Sequence, residues 1–254
     1  AGLALITSLY SVFDQGVYRD VLDHNWLPGT VSQDLITIIV GLALLFLSLE
    51  TGEDDVKKQV LALSLLSYLF YGYGIFVIEQ LYTSFYLLYV AICSIAFWSL
   101  VYAAINIDRE LLRNVTVPKI SGYLIAGWLA FVALLFYALW ISQVLPLMRS
   151  GQKLEFTFSI YILDMVFVLP SLLICAVLII RRNPAGLFFA PVLFLKAFTL
   201  LFSVGLGSSM KPLFGQPSEA GETIFYFILS VLFLFFAVFS FNRIRFRVTE
   251  KSRV

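Results

Sequence analysis

The sequence predicts an all-α, polytopic transmembrane helical bundle, and three observations carry that prediction. Of 254 residues, 61% are hydrophobic and 13% charged, against roughly 45–50% and about 25% in soluble globular domains. A core of this size has no room for so much apolar surface, so the bilayer must act as solvent for most of it. The apolar residues also fall into runs of about 20, the length that crosses a hydrocarbon core at about 1.5 Å per residue. Short polar linkers separate the runs and hold the turn residues and most of the charge, which makes consecutive spans antiparallel neighbours.

Seven spans follow, at 34–49, 59–79, 82–105, 121–145, 158–180, 185–206 and 223–242. Residues 1–13 (AGLALITSLYSVF) are apolar but too short to cross. They read as an interfacial helix, or as the end of an eighth spanning helix. Residues 14–33 carry Tyr18-Arg19-Asp20, Asp23-His24-Asn25-Trp26 and Pro28-Gly29 and read as an ordered loop. Gln33 and Asp34 then open the first span, where an acid caps a helix N-terminus. The whole chain, 1–254, is thus expected to be one transmembrane domain: outer segment 1–33, seven-helix bundle 34–242 and basic tail 243–254.

Orientation comes from the Lys and Arg residues of the linkers. One side holds Lys57, Lys58, Arg109, Arg113, Lys119, Arg181, Arg182, Arg243, Arg245, Arg247, Lys251 and Arg253; the other holds Arg19, Arg149, Lys153 and Lys211. The excess of positive charge places the first side, with the C-terminus, in the cytoplasm of a plasma (inner) membrane. Asn114-Val-Thr matches a glycosylation sequon but falls on that side, which makes it a chance match. The basic tail reads as a juxtamembrane segment held by anionic lipid.

Composition excludes several chemistries. A net charge of +1 gives no reason to expect a nucleic-acid partner. One histidine, His24, and two cysteines, Cys93 and Cys175, without CxxC spacing leave no basis for a metal site, a haem or a disulfide framework. No cofactor, metal ligand or catalytic residue is expected.

What remains is a pair of charges inside apolar spans, Asp164 and Lys196. A charge at such depth is costly, and it is usually paired, turned to the bundle interior or placed beside a wet cavity. Helical rise puts Asp164 about 10 Å and Lys196 about 15 Å below the outer ends of their spans, close enough in depth to meet. Tyr71 and Tyr89 lie deep enough that a phenol needs a partner, and Tyr73, Glu79 and the loop residue Arg19 complete the candidate ligand-binding set. Tyr82 and Tyr86, nearer the boundary, read as interfacial anchors. Gly72 and Gly74 allow close approach of a helix or a ligand, and Pro170 and Pro191 free backbone carbonyls near the charged pair.

The runs GVYRD with QDLITIIVGLALL, SYLFYGYGIF with YLLYVAICSIAFWSL, and IYILDMVFVLPSLLICAVLIIRRNPAGLFFAPVLFLKAF resemble an uncharacterised family of bacterial and archaeal polytopic integral membrane proteins. The resemblance implies a multi-pass helical fold and places Asp164, Pro170, Pro191 and Lys196 in the family's pattern. It implies no activity.

The sequence therefore favours a non-enzymatic membrane protein with an outward-facing polar cavity, binding or transporting a small, anionic ligand through the Asp164–Lys196 pair. Its expected partners are membrane lipids, that small-molecule ligand, and either a membrane-protein partner or a second copy of the chain. A structural or assembly subunit of a membrane complex is the alternative. A lipid-modifying enzyme is disfavoured by the single deep acid and the absence of a histidine in the spans. A retinal-binding protein is disfavoured because Lys196 lies in the penultimate span.

Overall fold

The computed structural model describes residues 1–49, 56–106, 115–154 and 156–246. Among these, seven helices are long and apolar enough to span a membrane, and a shorter one precedes them. The short helix is α1 (Gly2–Phe13). The spanning helices are α2 (Leu27–Leu49), α3 (Val56–Ile78), α4 (Tyr86–Asn106), α5 (Lys119–Ser150), α6 (Phe158–Ile180), α7 (Pro184–Met210) and α8 (Ala220–Arg243). The fold is the expected multi-pass helical bundle. Arg109, Arg113, the Asn114 sequon and the tail from Arg247 onward lie outside the described residues.

Local chemistry sets the helix ends. Asn183 caps α7 by accepting a hydrogen bond from the Ala185 amide (3.0 Å), with Pro184 supplying the first helical φ. The α6–α7 turn passes through Arg182 at φ +58°, and α5 ends on Gly151 at φ +67°, a left-handed conformation glycine adopts without a Cβ penalty. Beside the α6–α7 turn, a two-residue antiparallel ladder pairs Val115–Thr116 (β1) with Arg245–Phe246 (β2), tying the start of α5 to the end of α8.

The start of α2 departs from the sequence reading. The helix begins at Leu27, so residues 27–33 are helical and Asp34 stands two turns inside instead of at the cap. Asp34 is 3% exposed and accepts a 2.7 Å hydrogen bond from the Tyr18 hydroxyl. Tyr18 lies outside the spans, where burial and then the neighbouring Asp34 push its phenol well above the usual value, so it stays a donor.

The core forms two large clusters and a small third one, where Val56, Val60 and Leu63 of α3 meet Phe188 and Val192 of α7. One large cluster joins α1, α2, α3 and α4 around Val40, Leu69, Tyr73 and Phe76. The other joins α5, α6, α7 and α8 around Leu129, Leu172, Phe194 and Phe233. Helix α7 connects them, since it packs on α6 and α8 and also on α2 and α3. Helix α1 packs on α2 and α4, and its Thr7 and Ser8 hydroxyls meet the Tyr73 hydroxyl at 2.8 and 3.2 Å.

The α2–α7 contact is closest at Gly207, where a Cβ would stand 2.8 Å from Ser32 Oγ and 2.9 Å from Gly29 Cα. Backbone cannot move aside as a side chain can, so Gly207→Ala should destabilise the protein by about 1–3 kcal/mol. Gly127→Ala, where a Cβ meets nothing within 4 Å, should be neutral or stabilise by up to ~1 kcal/mol. Thermal unfolding in detergent compares the two; equal melting would contradict the close α2–α7 approach.

Candidate functional site

Asp164 and Lys196 come together, but not as an ion pair. Their side chains are not within the 4.0 Å that defines one. Tyr71 stands between them: its hydroxyl donates to Asp164 Oδ1 (2.9 Å), and Lys196 Nζ lies 4.0 Å from the centre of its ring. The Trp140 indole N–H donates to Asp164 Oδ2, also at 2.9 Å. Four helices, α3, α5, α6 and α7, thus each contribute one side chain. Asp164 is 8% and Lys196 5% exposed. Both carboxylate oxygens are hydrogen-bonded, and the ring face of Tyr71 attracts an ammonium electrostatically. Lys196 Nζ itself has no hydrogen-bond partner.

Helix α6 is shaped for this arrangement by Pro170. A π turn spans Asp164–Val168, and the Leu169 amide bonds back to the Asp164 carbonyl. That leaves the Met165 carbonyl without a helical donor, because its five-residue partner is Pro170, which has no N–H. The Tyr137 hydroxyl fills the position, donating at 3.1 Å. The expected freeing of a carbonyl beside the charged pair is thus located at Met165.

The other members of the expected set lie elsewhere. Tyr89 accepts from the Thr83 hydroxyl (3.2 Å) and packs on Phe76, with ring centroids 5.1 Å apart. Tyr73 is turned to α1, as described above. Two residues along a helix are about 200° apart around its axis, so Tyr71 and Tyr73 serve different neighbours. Arg19 is exposed on its loop. Gly74 is filled by the Leu163 side chain, and the Gly72 carbonyl accepts from Gln33 Nε2 (3.0 Å), so both glycines serve helix packing.

Glu79 belongs to a different feature, a cavity of about 540 Å3 at the end of the bundle where α2, α6 and α8 begin and α3 and α7 finish. Gln33, Tyr68, Ser203 and Ser208 line its interior, and Trp26, Phe156, Lys211 and Glu222 stand nearer the loops. Asp164, Lys196, Tyr71 and Tyr89 are not among its lining residues. The cavity's polar walls are partly spoken for. The Tyr68 hydroxyl donates to the Gln33 carbonyl (3.2 Å), and Lys211 Nζ pairs with Glu222 Oε2 (2.7 Å). Glu79 is not. Its Oε1 accepts from the Ser159 amide in the first turn of α6 (2.9 Å), while its Oε2 and the Ser159 hydroxyl have no partner.

The loops around the cavity are tied together. The His24 imidazole N–H donates to the Phe214 carbonyl (2.9 Å), and Gln216 Nε2 donates to the His24 carbonyl (2.6 Å). The sequence reading missed Gln33, Tyr68, Ser159, Ser203, Ser208 and Glu222 as cavity residues. The available signal was Pro28, whose place in the first turn of a helix would have moved the start of α2 back and carried Gln33 inside.

Comparison with family models, with curated proteins and with solved structures finds no match, so the site is interpreted on its geometry alone. No group of three or more metal-ligating side chains occurs among the described residues.

Removing Asp164 would strand the Tyr71 and Trp140 donors and leave Lys196 without a counter-charge. Asp164→Ala should therefore destabilise by on the order of 3–5 kcal/mol, and adding Lys196→Met should recover part of that loss. Unfolding midpoints of the two single variants and the double variant form the test; strictly additive losses would contradict an energetic link through Tyr71.

Proposed function

We propose that this integral membrane protein binds, and by extension carries, a small ligand taken up from the outer side into the cavity between α2, α3, α6, α7 and α8. The observation that carries this reading is the cavity itself: about 540 Å3, lined by apolar side chains such as Ile75, Phe76 and Leu200 together with converging polar ones, a combination that can hold and orient a small molecule. Its outward orientation rests on the Lys and Arg balance of the linkers, which leaves the loops around it on the side poor in positive charge.

In this reading Asp164, Tyr71 and Lys196 do not hold the ligand. Their polar groups, apart from the lysine ammonium, are already paired, and they lie below the cavity as the joint between the two halves of the bundle. Ser159 and Asp164 are on the same helix, and Tyr68 and Tyr71 are one turn apart on another. A ligand that shifts α6 or α3 at the cavity would therefore act on the joint through rigid helices.

A purely structural role finds less support. Helices α4, α5 and α8 keep most of their surface exposed, which contact with lipid tails accounts for without a protein partner.

Thiol accessibility tests the reading. In a background with Cys93→Ala and Cys175→Ala, Gln33→Cys and Ser208→Cys should each react with a membrane-impermeant maleimide applied to intact cells. Thr116→Cys, at the opposite end, should react only after permeabilisation. Unreactive Gln33→Cys and Ser208→Cys in intact cells would refute an outward, water-filled cavity.

A further inference from the structure

The charge of the cavity lining points away from an anionic ligand. Three carboxylates, Glu79, Glu219 and Glu222, line it against one lysine, Lys211. The lysine is already paired with Glu222 at 2.7 Å, which leaves Glu79 and Glu219 without a cationic partner among the lining residues. Glu79 is the more telling of the two. It is 8% exposed, and a buried carboxylate is costly unless each oxygen finds a donor. The Ser159 amide at the positive end of α6 supplies a donor to Oε1, but Oε2 has none, and the fully buried Ser159 hydroxyl beside it has none either.

We infer that Glu79, by turning its buried Oε2 into the cavity, receives the protonated amine of an amphiphilic organic cation, whose apolar body lies along the cavity wall. The inference rests on the cavity reading above and names its ligand class. An alkyl- or arylammonium brings what the site lacks: several N–H donors and one positive charge for a carboxylate held in place by its other oxygen. The rest of the lining suits the remainder of such a molecule. Ile75, Phe76 and Leu200 line the interior, and Trp26 and Phe156 stack near the loops, 5.2 Å between centroids and 27° between planes. Such faces accept an apolar chain or ring and attract the adjacent cation. A divalent metal is a poorer occupant, because Glu79 is not part of any group of three or more metal-ligating side chains among the described residues.

The probes are phenethylammonium, phenylacetate and benzyl alcohol, which share a ring and differ in charge. Each is tested for protection of the Gln33→Cys thiol from maleimide in the purified full-length protein. Phenethylammonium should protect at concentrations where phenylacetate and benzyl alcohol do not, and sodium chloride at the same ionic strength should not protect. Glu79→Gln, which keeps the acceptor for the Ser159 amide and loses the charge, should raise the protecting concentration of phenethylammonium by about tenfold or more. The comparison among probes on the Glu79-containing protein stands even if Glu79→Gln fails to fold. Equal or better protection by phenylacetate, protection by sodium alone, or no protection by any probe would overturn the inference. The cavity reading would survive each of these outcomes so long as the thiol itself reacts, and would fail if it does not.

Discussion

An ionised side chain in the middle of a bilayer must bring its own solvation, and this protein meets that constraint with an aromatic ring. Tyr71 gives its hydroxyl to Asp164 and its face to Lys196, so acid and base are neutralised across one side chain instead of in direct contact. Trp140 occupies the second carboxylate oxygen. The four residues come from four helices belonging to the two halves of the core, and the π turn before Pro170 sets the acid in place. Buried polar groups of this kind cannot slide to a neighbouring register without losing a partner. The joint therefore fixes how the N-terminal and C-terminal halves meet.

Above the joint the packing changes character. Helices α2 and α7 touch through Gly29, Ser32 and Gly207, and the Ser32 hydroxyl donates to the Ser203 carbonyl (2.9 Å). Toward the loops lies the cavity, whose rim is held by hydrogen bonds between the His24 and Phe214 segments. The result is a bundle closely packed where α2 meets α7, with a cavity of about 540 Å3 toward the loops. Within the joint the Asp164 oxygens are satisfied by the Tyr71 hydroxyl and the Trp140 N–H, whereas Glu79 Oε2 and the Ser159 hydroxyl have no partner.

The spans were legible because hydropathy and length decide them locally, and each of the seven runs became a helix. Helix starts were harder. Thr30, Ser32, Gln33 and Asp34 look like loop residues, yet all but Gln33 are buried: Ser32 finds the Ser203 carbonyl on α7, Asp34 the Tyr18 hydroxyl of the preceding loop, and Thr30 the Trp26 carbonyl one turn back. Hydropathy cannot see a polar residue that is satisfied across a tertiary contact. The depth of Asp164 and Lys196 was readable from helical rise. The side chain between them was only half readable: Tyr71 was marked as a deep phenol in need of a partner, while nothing local marked Trp140. The cavity was the least legible feature, since it depends on what five helices and their loops leave unfilled. Lys196 packs over the Tyr71 ring and is not among the residues that line the cavity, whereas Glu79 is, which is why a cation is proposed in place of the anion expected from Lys196.

The most direct measurement is a density map of the protein in lipid nanodiscs with phenethylammonium present. The account predicts density beside Glu79 and Ser159 in a cavity open to the outer side, with the Tyr71 ring between Asp164 and Lys196 below it. A cavity closed by side chains, or Glu79 turned away to another partner while Lys196 faces an open pocket, would contradict it.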